Sequence, residues 1–357
     1  MEMYIYGASR EGRLLKQKLK KEYGIAINGF LDTYKVADDI VSLNDVPRDA
    51  IIIISPQFQQ TAIDIYNKLK SLGRKNIYWY HNAKDNHINK YDFLNECCTP
   101  CDNWGNLIMP HIEFHIVDNC NLNCRGCSHF SPLYTETKES VDNKIMNIDK
   151  LLKKFSNIAR LDILGGEPLL STNLCEYVAR LRKKLPDSYL RIFTNGILVP
   201  NLTDGELNSI RDNNVGVFIS EYKPTHQMIE KIESKLIKYG IRYEVTGYQA
   251  REKFNIPISI NEKSNLPWQC ISVGCYALGD GKLAKCPTLL YIGKFNEFFK
   301  QKLPIDGLID LDTNMSGEKI LRKLKEEVPL CKYCVKCPVD WSICRKPYRM
   351  TDFVTTK

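Results

Sequence analysis

The sequence predicts an α/β protein in three consecutive parts, and three observations carry that reading. Short β-branched and aromatic runs alternate with amphipathic stretches from residue 3 to about residue 245. Two of those runs end in short motifs, Cys120-Asn-Leu-Asn-Cys124-Arg-Gly-Cys127 and Gly165-Gly166-Glu167-Pro168, at the strand ends where α/β sites collect. Beyond about residue 262 the chain turns irregular and cysteine-rich. The expected parts are 1–90, a linker at 91–106, a core at 107–260 and a third unit at 261–357.

In the first part, Met3-Tyr-Ile-Tyr6 reads as a strand, Gly7 to Gly12 as a turn, and Arg13 to Tyr23 as a helix with Leu14, Leu15 and Leu19 apolar. A strand at Ile25–Leu31 ends at Asp32, followed by a strand at Ile51–Ile54, a helix from about Gln57 to Leu72 and a strand at Ile77–Tyr80. This is a compact βαβ array. Its G-x-S-x-x-G turn, with an acid about twenty residues on, approximates the dinucleotide fingerprint with Ser9 in place of the middle glycine. Gly7, Ser9, Gly12 and Asp32 are therefore candidate nucleotide contacts. A scaffold or partner-docking unit gives the same spacing, because any short turn feeding a closely packed helix needs it. The polar stretch up to Asn106 holds Cys97, Cys98 and Cys101, either inert or lending a ligand to a cluster.

The core begins with the strand His111–Val117, which delivers the three-cysteine loop, and continues with Leu161–Leu164, which delivers the diglycine. A helix near 173–185 carries Leu174, Val178, Leu181 and Leu185 on one face. Strands follow at Tyr189–Phe193, ending at Thr194-Asn195-Gly196, at Val215–Ile219, ending at Ser220, and at Ile241–Val245. Such βα repetition closes into a full or partial barrel with its site at the strand C-termini. Three thiolates spaced C-x3-C-x2-C can hold three irons of a [4Fe-4S] cluster and leave the fourth open. A structural zinc site is the competing reading, with His129 as fourth ligand, although it leaves the diglycine after the next strand without a purpose.

Together, C-x3-C-x2-C after one strand and Gly-Gly-Glu-Pro after the next resemble the radical S-adenosylmethionine (SAM) superfamily. The resemblance implies an open six-strand (β/α)6 barrel, a [4Fe-4S] cluster on Cys120, Cys124 and Cys127, and SAM chelated to the open iron. It further implies SAM contacts at Gly165, Gly166, Glu167 and Pro168, with Glu167 bearing on the methionyl ammonium, and at Asn195 and Ser220 near the ribose. The residue before the third cysteine is aromatic or bulky in that family and packs on the adenine. Here it is Gly126, so Phe130 is the candidate adenine neighbour, with a core position as its alternative. The first part is similar to half-Rossmann domains at the start of some sugar-nucleotide-modifying enzymes, through Tyr6-Gly-Ala-Ser9 and Gly29-Phe-Leu-Asp32.

The third part holds Cys270, Cys275 and Cys286, with Gly281 completing Gly-x4-Cys286, and then Cys331-x2-Cys334-x2-Cys337-x6-Cys344. It resembles the SPASM or twitch extension of radical SAM enzymes, which holds one or two auxiliary [4Fe-4S] clusters. Four cysteines satisfy one cluster, so seven fall one short of two sets. Zinc on the last four is the alternative, and Pro338 after Cys337 echoes bacterial ferredoxins.

Composition sets the remaining bounds. A 357-residue chain with 43% hydrophobic content can bury more than one core. No run approaches a membrane span, and the first residues read as a strand rather than a signal peptide. The expectation is a cytoplasmic protein whose fourteen cysteines are thiols grouped for metal. The net charge of +8 is dispersed over helix faces such as Lys16, Lys18, Lys20 and Lys21, and no nucleic-acid-binding motif is present. The resemblance then implies reductive cleavage of SAM to a 5′-deoxyadenosyl radical and hydrogen abstraction from a small-molecule substrate, with a flavodoxin- or ferredoxin-type electron donor. A sugar or sugar nucleotide, oxidised or epimerised, is the expected substrate; peptide modification is the enzyme alternative, and a non-catalytic zinc- or cluster-binding interaction protein the other. Epimerisation needs a thiol to return hydrogen, for which Cys97, Cys98, Cys101 and Cys175 come into question.

Overall fold

The computed structural model describes residues 1–81, 93–135, 140–263, 270 and 274–356. The first part of the chain builds a five-stranded sheet in the order β2-β1-β3-β4-β5. Its strands are β1 (Met3–Tyr6), β2 (Gly29–Leu31), β3 (Ile51–Ile54), β4 (Ile77–Tyr80) and β5 (Cys98–Pro100). Helices α1 (Arg10–Lys18) and α2 (Gln59–Ser71) make the crossovers, and β1 to β4 run parallel. The expected linker is partly structured: a short helix α3 (Phe93–Cys97) leads into β5, which pairs antiparallel with β4, while 82–92 lie outside the described residues. Cys97, Cys98 and Cys101 are consequently buried in this unit's core.

The core sheet is a partial barrel. Strands β6 (Ile108–Val117), β7 (Asn157–Gly165), β8 (Tyr189–Thr194), β9 (Gly216–Ile219) and β10 (Tyr243–Val245) pair in sequence and in parallel. Between them lie helices α4 (Val141–Leu152), α5 (Leu174–Lys184), α6 (Asp204–Asp212), the short α7 (Lys223–His226) and α8 (Ile229–Lys238). Helix α5 buries Leu174, Tyr177, Val178 and Leu181 against the sheet, the stripe expected from an i, i+3, i+4, i+7 pattern. The sixth parallel strand comes from the cysteine-rich part. After β11 (Lys253–Ile258), β12 (Ala277–Gly279) pairs with β6, on the opposite edge from β10. It continues through an Asp280-Gly281 turn with positive φ at both residues into β13 (Lys282–Ala284), the geometry of a two-residue hairpin.

Helix α9 (Pro287–Phe299), β14 (Ile309–Asp310), helix α10 (Gly317–Lys325) and β15 (Cys334–Asp340) complete the chain's elements. β15 returns to pair antiparallel with β11, so the end of the chain lies beside the barrel mouth. A separate core of Phe130, Phe295, Phe353 and neighbouring aliphatics binds this part together. Among the described residues, no helix is long and apolar enough to cross a membrane.

Polar residues on alternate positions of buried strands fill the barrel interior. His111, Glu113 and His115 share one face of β6; the register sets Glu113 beside Asp162 of β7, which in turn lies beside Arg191 of β8, while His115 stacks on Tyr291. Arg191 grips Asp162 through Nε at 2.6 Å and Nη2 at 3.1 Å, while His111 Nε2 stands 2.9 Å from the same carboxylate. Burial alone would raise the Asp162 pKa, but Arg160, Arg191 and His111 hold it well below the usual carboxylate range.

Candidate active site

Cys120, Cys124 and Cys127 line one cleft of 240 Å³ at the C-terminal ends of the barrel strands, together with Gly165, Gly166, Thr194, Asn195 and Ser220. Glu113, Ser128, His129, Ser131 and Arg251 supply further polar groups, and Phe193, Tyr222 and Phe254 the apolar wall. Each loop is pinned to its neighbour. Asn195 Nδ2 donates to Asn121 Oδ1 at 2.7 Å, joining the turn after β8 to the cysteine loop. Arg251 Nη2 donates to Ser220 Oγ at 3.2 Å.

The diglycine is required by the backbone rather than by an open approach to a ligand. A Cβ on Gly165 would lie 1.9 Å from Val117 O, and one on Gly166 2.1 Å from Asn119 O. The N–H groups of Gly166 and Glu167 donate to those same carbonyls at 3.0 and 3.1 Å. The two motifs thus form one packed unit at the ends of β6 and β7. Pro168 starts a buried 3-10 turn and is absent from the cleft lining.

Glu167 differs from expectation. Its side chain is fully buried and accepts from Leu169 N at 3.1 Å, Thr194 Oγ1 at 2.5 Å and Asn195 N at 2.9 Å. The carboxylate is turned into the protein, tying the loop after β7 to that after β8, and is not among the groups lining the cleft. Burial pushes its pKa up to about 7 despite those donors. Phe130 also differs: it packs on Phe295 and Phe353 beneath the cysteine loop and takes the core position. Gly126 explains why no aromatic precedes Cys127. It has φ +75°, and a Cβ there would stand 3.1 Å from Ile256 and 3.4 Å from Phe254. Strand β11 occupies that space, and its Phe254 supplies an aromatic wall from another part of the chain.

The thiols are electrostatically distinct. Burial pushes Cys120 up to about 12 and raises Cys124 further, with neighbouring thiols adding to both. Burial would also raise Cys127, but the hydrogen bond and charge of His129 bring it below its ordinary value. Burial opposes the His129 cation, yet Cys127 and Glu113, whose Oε2 is 3.5 Å from Nε2, raise its pKa to about 9.

Of the seven C-terminal cysteines, four gather. Burial raises the thiols of Cys286 and Cys334, and Cys270 and Cys331 stand near enough to add to both, as Cys286 does to Cys334. Cys286 caps α9, its sulfur accepting from Leu289 N at 3.5 Å, and Cys331 accepts from Val328 N at 3.5 Å. The other three lie elsewhere. Cys337 pairs with Ile256 of β11, across a register shift from the Cys334–Ile258 pair, and is not among the thiols acting on Cys286 or Cys334. Cys275 precedes β12 and sits beside Glu113 in the barrel. Cys344 donates its N–H to Asn123 O at 2.7 Å and lies against the first cysteine loop. The run from Cys331 to Cys344 is therefore divided between two places, which removes the single four-cysteine zinc site. Among the described residues, no three His, Cys, Asp or Glu side chains converge tightly enough to hold one metal ion.

The candidate nucleotide turn is closed on itself. Asp32 accepts from the backbone N–H groups of Ala8 at 2.8 Å, Tyr34 at 2.9 Å and Lys35 at 3.1 Å. A Cβ on Gly12 would lie 1.9 Å from Gly7 O, and one on Gly7 2.7 Å from Ser55 Oγ. Ser9 precedes α1 without a side-chain cap bond. The spacing is thus that of close helix–sheet packing, with the Asp32 carboxylate engaged by the chain's own amides.

Glu113, Phe193, Tyr222, Arg251 and Phe254 line the cleft without having been singled out in the sequence. For Glu113 a signal existed: His111, Glu113 and His115 alternate within a strand, placing three polar groups on one buried face. Tyr222, Arg251 and Phe254 carry no such local signal.

The fold and site define a partial α/β barrel carrying a three-thiol cluster loop at its mouth and a second, four-thiol set beyond it. The family described as a 4Fe-4S single cluster domain matches residues 112–249, the barrel and its loop. GTP 3′,8-cyclase 1 of Mycobacterium tuberculosis is 34% identical over 105 residues, 28% of this chain and 29% of that protein. A probable GTP 3′,8-cyclase of Thermoplasma volcanium is 25% identical over 221 residues, 61% of this chain and 59% of that protein. The chain thus spans less than two thirds of either relative. Among solved structures, BtrN in complex with AdoMet and 2-DOIA has a TM-score of 0.40 at 19% identity, over 64% of this chain and 93% of that one. The matched region is the barrel with its three-cysteine loop, and the residues present suit a [4Fe-4S] cluster with SAM at Cys120, Cys124 and Cys127 and an auxiliary cluster at the four-thiol set, the cofactors of radical SAM proteins.

Proposed function

We propose that this protein is a radical SAM enzyme that oxidises a small polyhydroxylated substrate, a sugar or sugar nucleotide, at an unactivated C–H. The observation that carries the proposal is the single cleft shared by Cys120, Cys124, Cys127, the diglycine, Asn195 and Ser220. Bound there, the cluster and SAM supply the 5′-deoxyadenosyl radical. The chain's own residues hold, orient and enclose: the three thiols ligate, Phe254 and Tyr222 wall the cleft, and Asn195 and Ser220 offer polar contacts. Glu113, His129 and Arg251 present acceptor and donor groups suited to hydroxyls and to an anionic substituent.

Oxidation is favoured over epimerisation by where the cysteines lie. Cys270, Cys286, Cys331 and Cys334 offer a complete ligand set to one auxiliary cluster, which can accept the second electron. The thiols considered as hydrogen donors do not line the cleft: Cys97, Cys98 and Cys101 are buried in the N-terminal unit, and Cys175 is exposed on α5. The sugar reading rests on the polar cleft, since Asp32 is engaged internally. An electron donor of flavodoxin or ferredoxin type belongs to the proposal.

The test is anaerobic reconstitution with SAM and dithionite, followed by mass spectrometry of 5′-deoxyadenosine with sugars, sugar nucleotides, GTP and peptides in turn. The expected result is 5′-deoxyadenosine that depends on Cys120, Cys124 and Cys127, with a product two hydrogens lighter than a sugar substrate. Turnover of GTP or a peptide alone would replace the substrate class. No cleavage under any condition, with full iron content, would refute the enzyme reading.

A further inference from the structure

The cover of the cysteine loop comes from the far end of the sequence. Arg125 N–H donates to Ser342 O at 2.9 Å, Gly126 N–H to Asp352 O at 2.7 Å, and Ile343 forms an isolated antiparallel bridge with Cys124. These bonds fix the loop's backbone. From this C-terminal cover a side chain also reaches a ligand atom itself: the indole Nε1 of Trp341 stands 3.2 Å from Cys124 Sγ.

Indole nitrogen is a donor only, so the proton is directed at the sulfur. The ring is held by two independent contacts. Trp341 N–H donates to Glu252 O at 2.9 Å, and its ring stacks on Tyr222 at 5.5 Å and 24° between planes. Tyr222 in turn lines the cleft and lies 6.1 Å from Phe254. The donor is thus aimed by the same aromatic wall that shapes the site.

A ligand sulfur carries more negative charge when its cluster is reduced. A fixed N–H donor therefore stabilises the reduced state more than the oxidised one, and hydrogen bonds to sulfur are among the levers that set cluster potentials. We propose that Trp341 is a positioning residue that tunes the radical SAM cluster, its indole N–H donating to Cys124 Sγ and raising the cluster's reduction potential. The C-terminal segment thereby governs how readily the cluster takes up an electron. This inference rests on the cluster assignment of Cys120, Cys124 and Cys127.

The test compares full-length wild type, Trp341→Phe and Trp341→His after anaerobic reconstitution, by iron and sulfide content and by redox titration followed by electron paramagnetic resonance. Trp341→Phe retains an aromatic ring and loses the donor. Its cluster should be about tenfold harder to reduce at a given ambient potential, a fall of about 59 mV for one electron, while the auxiliary cluster's potential stays in place. Trp341→His keeps a ring N–H and should recover part of the shift. Equal potentials in wild type and Trp341→Phe at equal iron content would overturn the inference. If Trp341→Phe fails to take up iron, Trp341→His carries the comparison, and a potential at or above wild type with a shifted auxiliary cluster would overturn it. Failure of both variants to load would make Trp341 a structural wedge and overturn it as well. Wild type lacking a cluster on the three-cysteine loop would instead refute the underlying assignment, and iron content separates the two cases.

Discussion

Replacing Glu167 with alanine should destabilise the protein in a strongly pH-dependent way. The wild-type carboxyl is fully buried, with a pKa raised from 4.5 to about 7, largely by burial and against the pull of three donors. At about 1.4 kcal/mol per unit of pKa, that difference is worth about 3 kcal/mol. The raised pKa fixes the sign: the contribution is fully present below the unfolded value near 4.5 and is lost as pH rises through 7. Alanine does not titrate. The stability gap between wild type and Glu167→Ala should therefore be widest near pH 4 and narrow by about 3 kcal/mol by pH 8. At the acid end the deletion strands Leu169 N, Asn195 N and the Thr194 hydroxyl, at about 1–3 kcal/mol for each group left unpaired. Urea unfolding of the metal-free, reduced proteins at pH 4 to 8 measures the gap, and effects common to both chains cancel. A gap that is flat, or that widens with pH, would refute the placement of Glu167 as an inward-facing tie.

Two further outcomes follow from the same geometry. Asp162→Ala should cost about 3–5 kcal/mol in urea unfolding at pH 7, because it takes from buried Arg191 its closest carboxylate and leaves only Glu244 at 3.3 Å; the depressed Asp162 pKa means this difference fades only as pH falls below about 4. Alanine at Cys270, Cys286, Cys331 or Cys334 should remove the auxiliary cluster's iron and its absorption, whereas Cys275→Ala and Cys337→Ala should leave iron content unchanged, as read by anaerobic iron analysis.

The parts of this protein written in contiguous residues could be read without a structure. The alternation of strands and helices placed β1, β3 and β4 at their observed residues, because burial of one face imposes a local period. The cysteine loop and the diglycine were likewise legible, since their spacing within a turn sets what they can hold. The sequence did not say that Glu167 turns inward while its backbone joins Asn119, or that Gly126 is glycine because β11 passes over it. Nor did it say which cysteines meet. Cys337, three positions past Cys334, is not among the thiols acting on it, while Cys286 and Cys331, 45 positions apart, are brought together. Local periodicity and motif chemistry depend on neighbours in the chain, and the sequence alone determined them. The aromatic wall, the four-thiol set and the Trp341–Cys124 contact depend on strand pairing between distant segments, which only tertiary packing could decide.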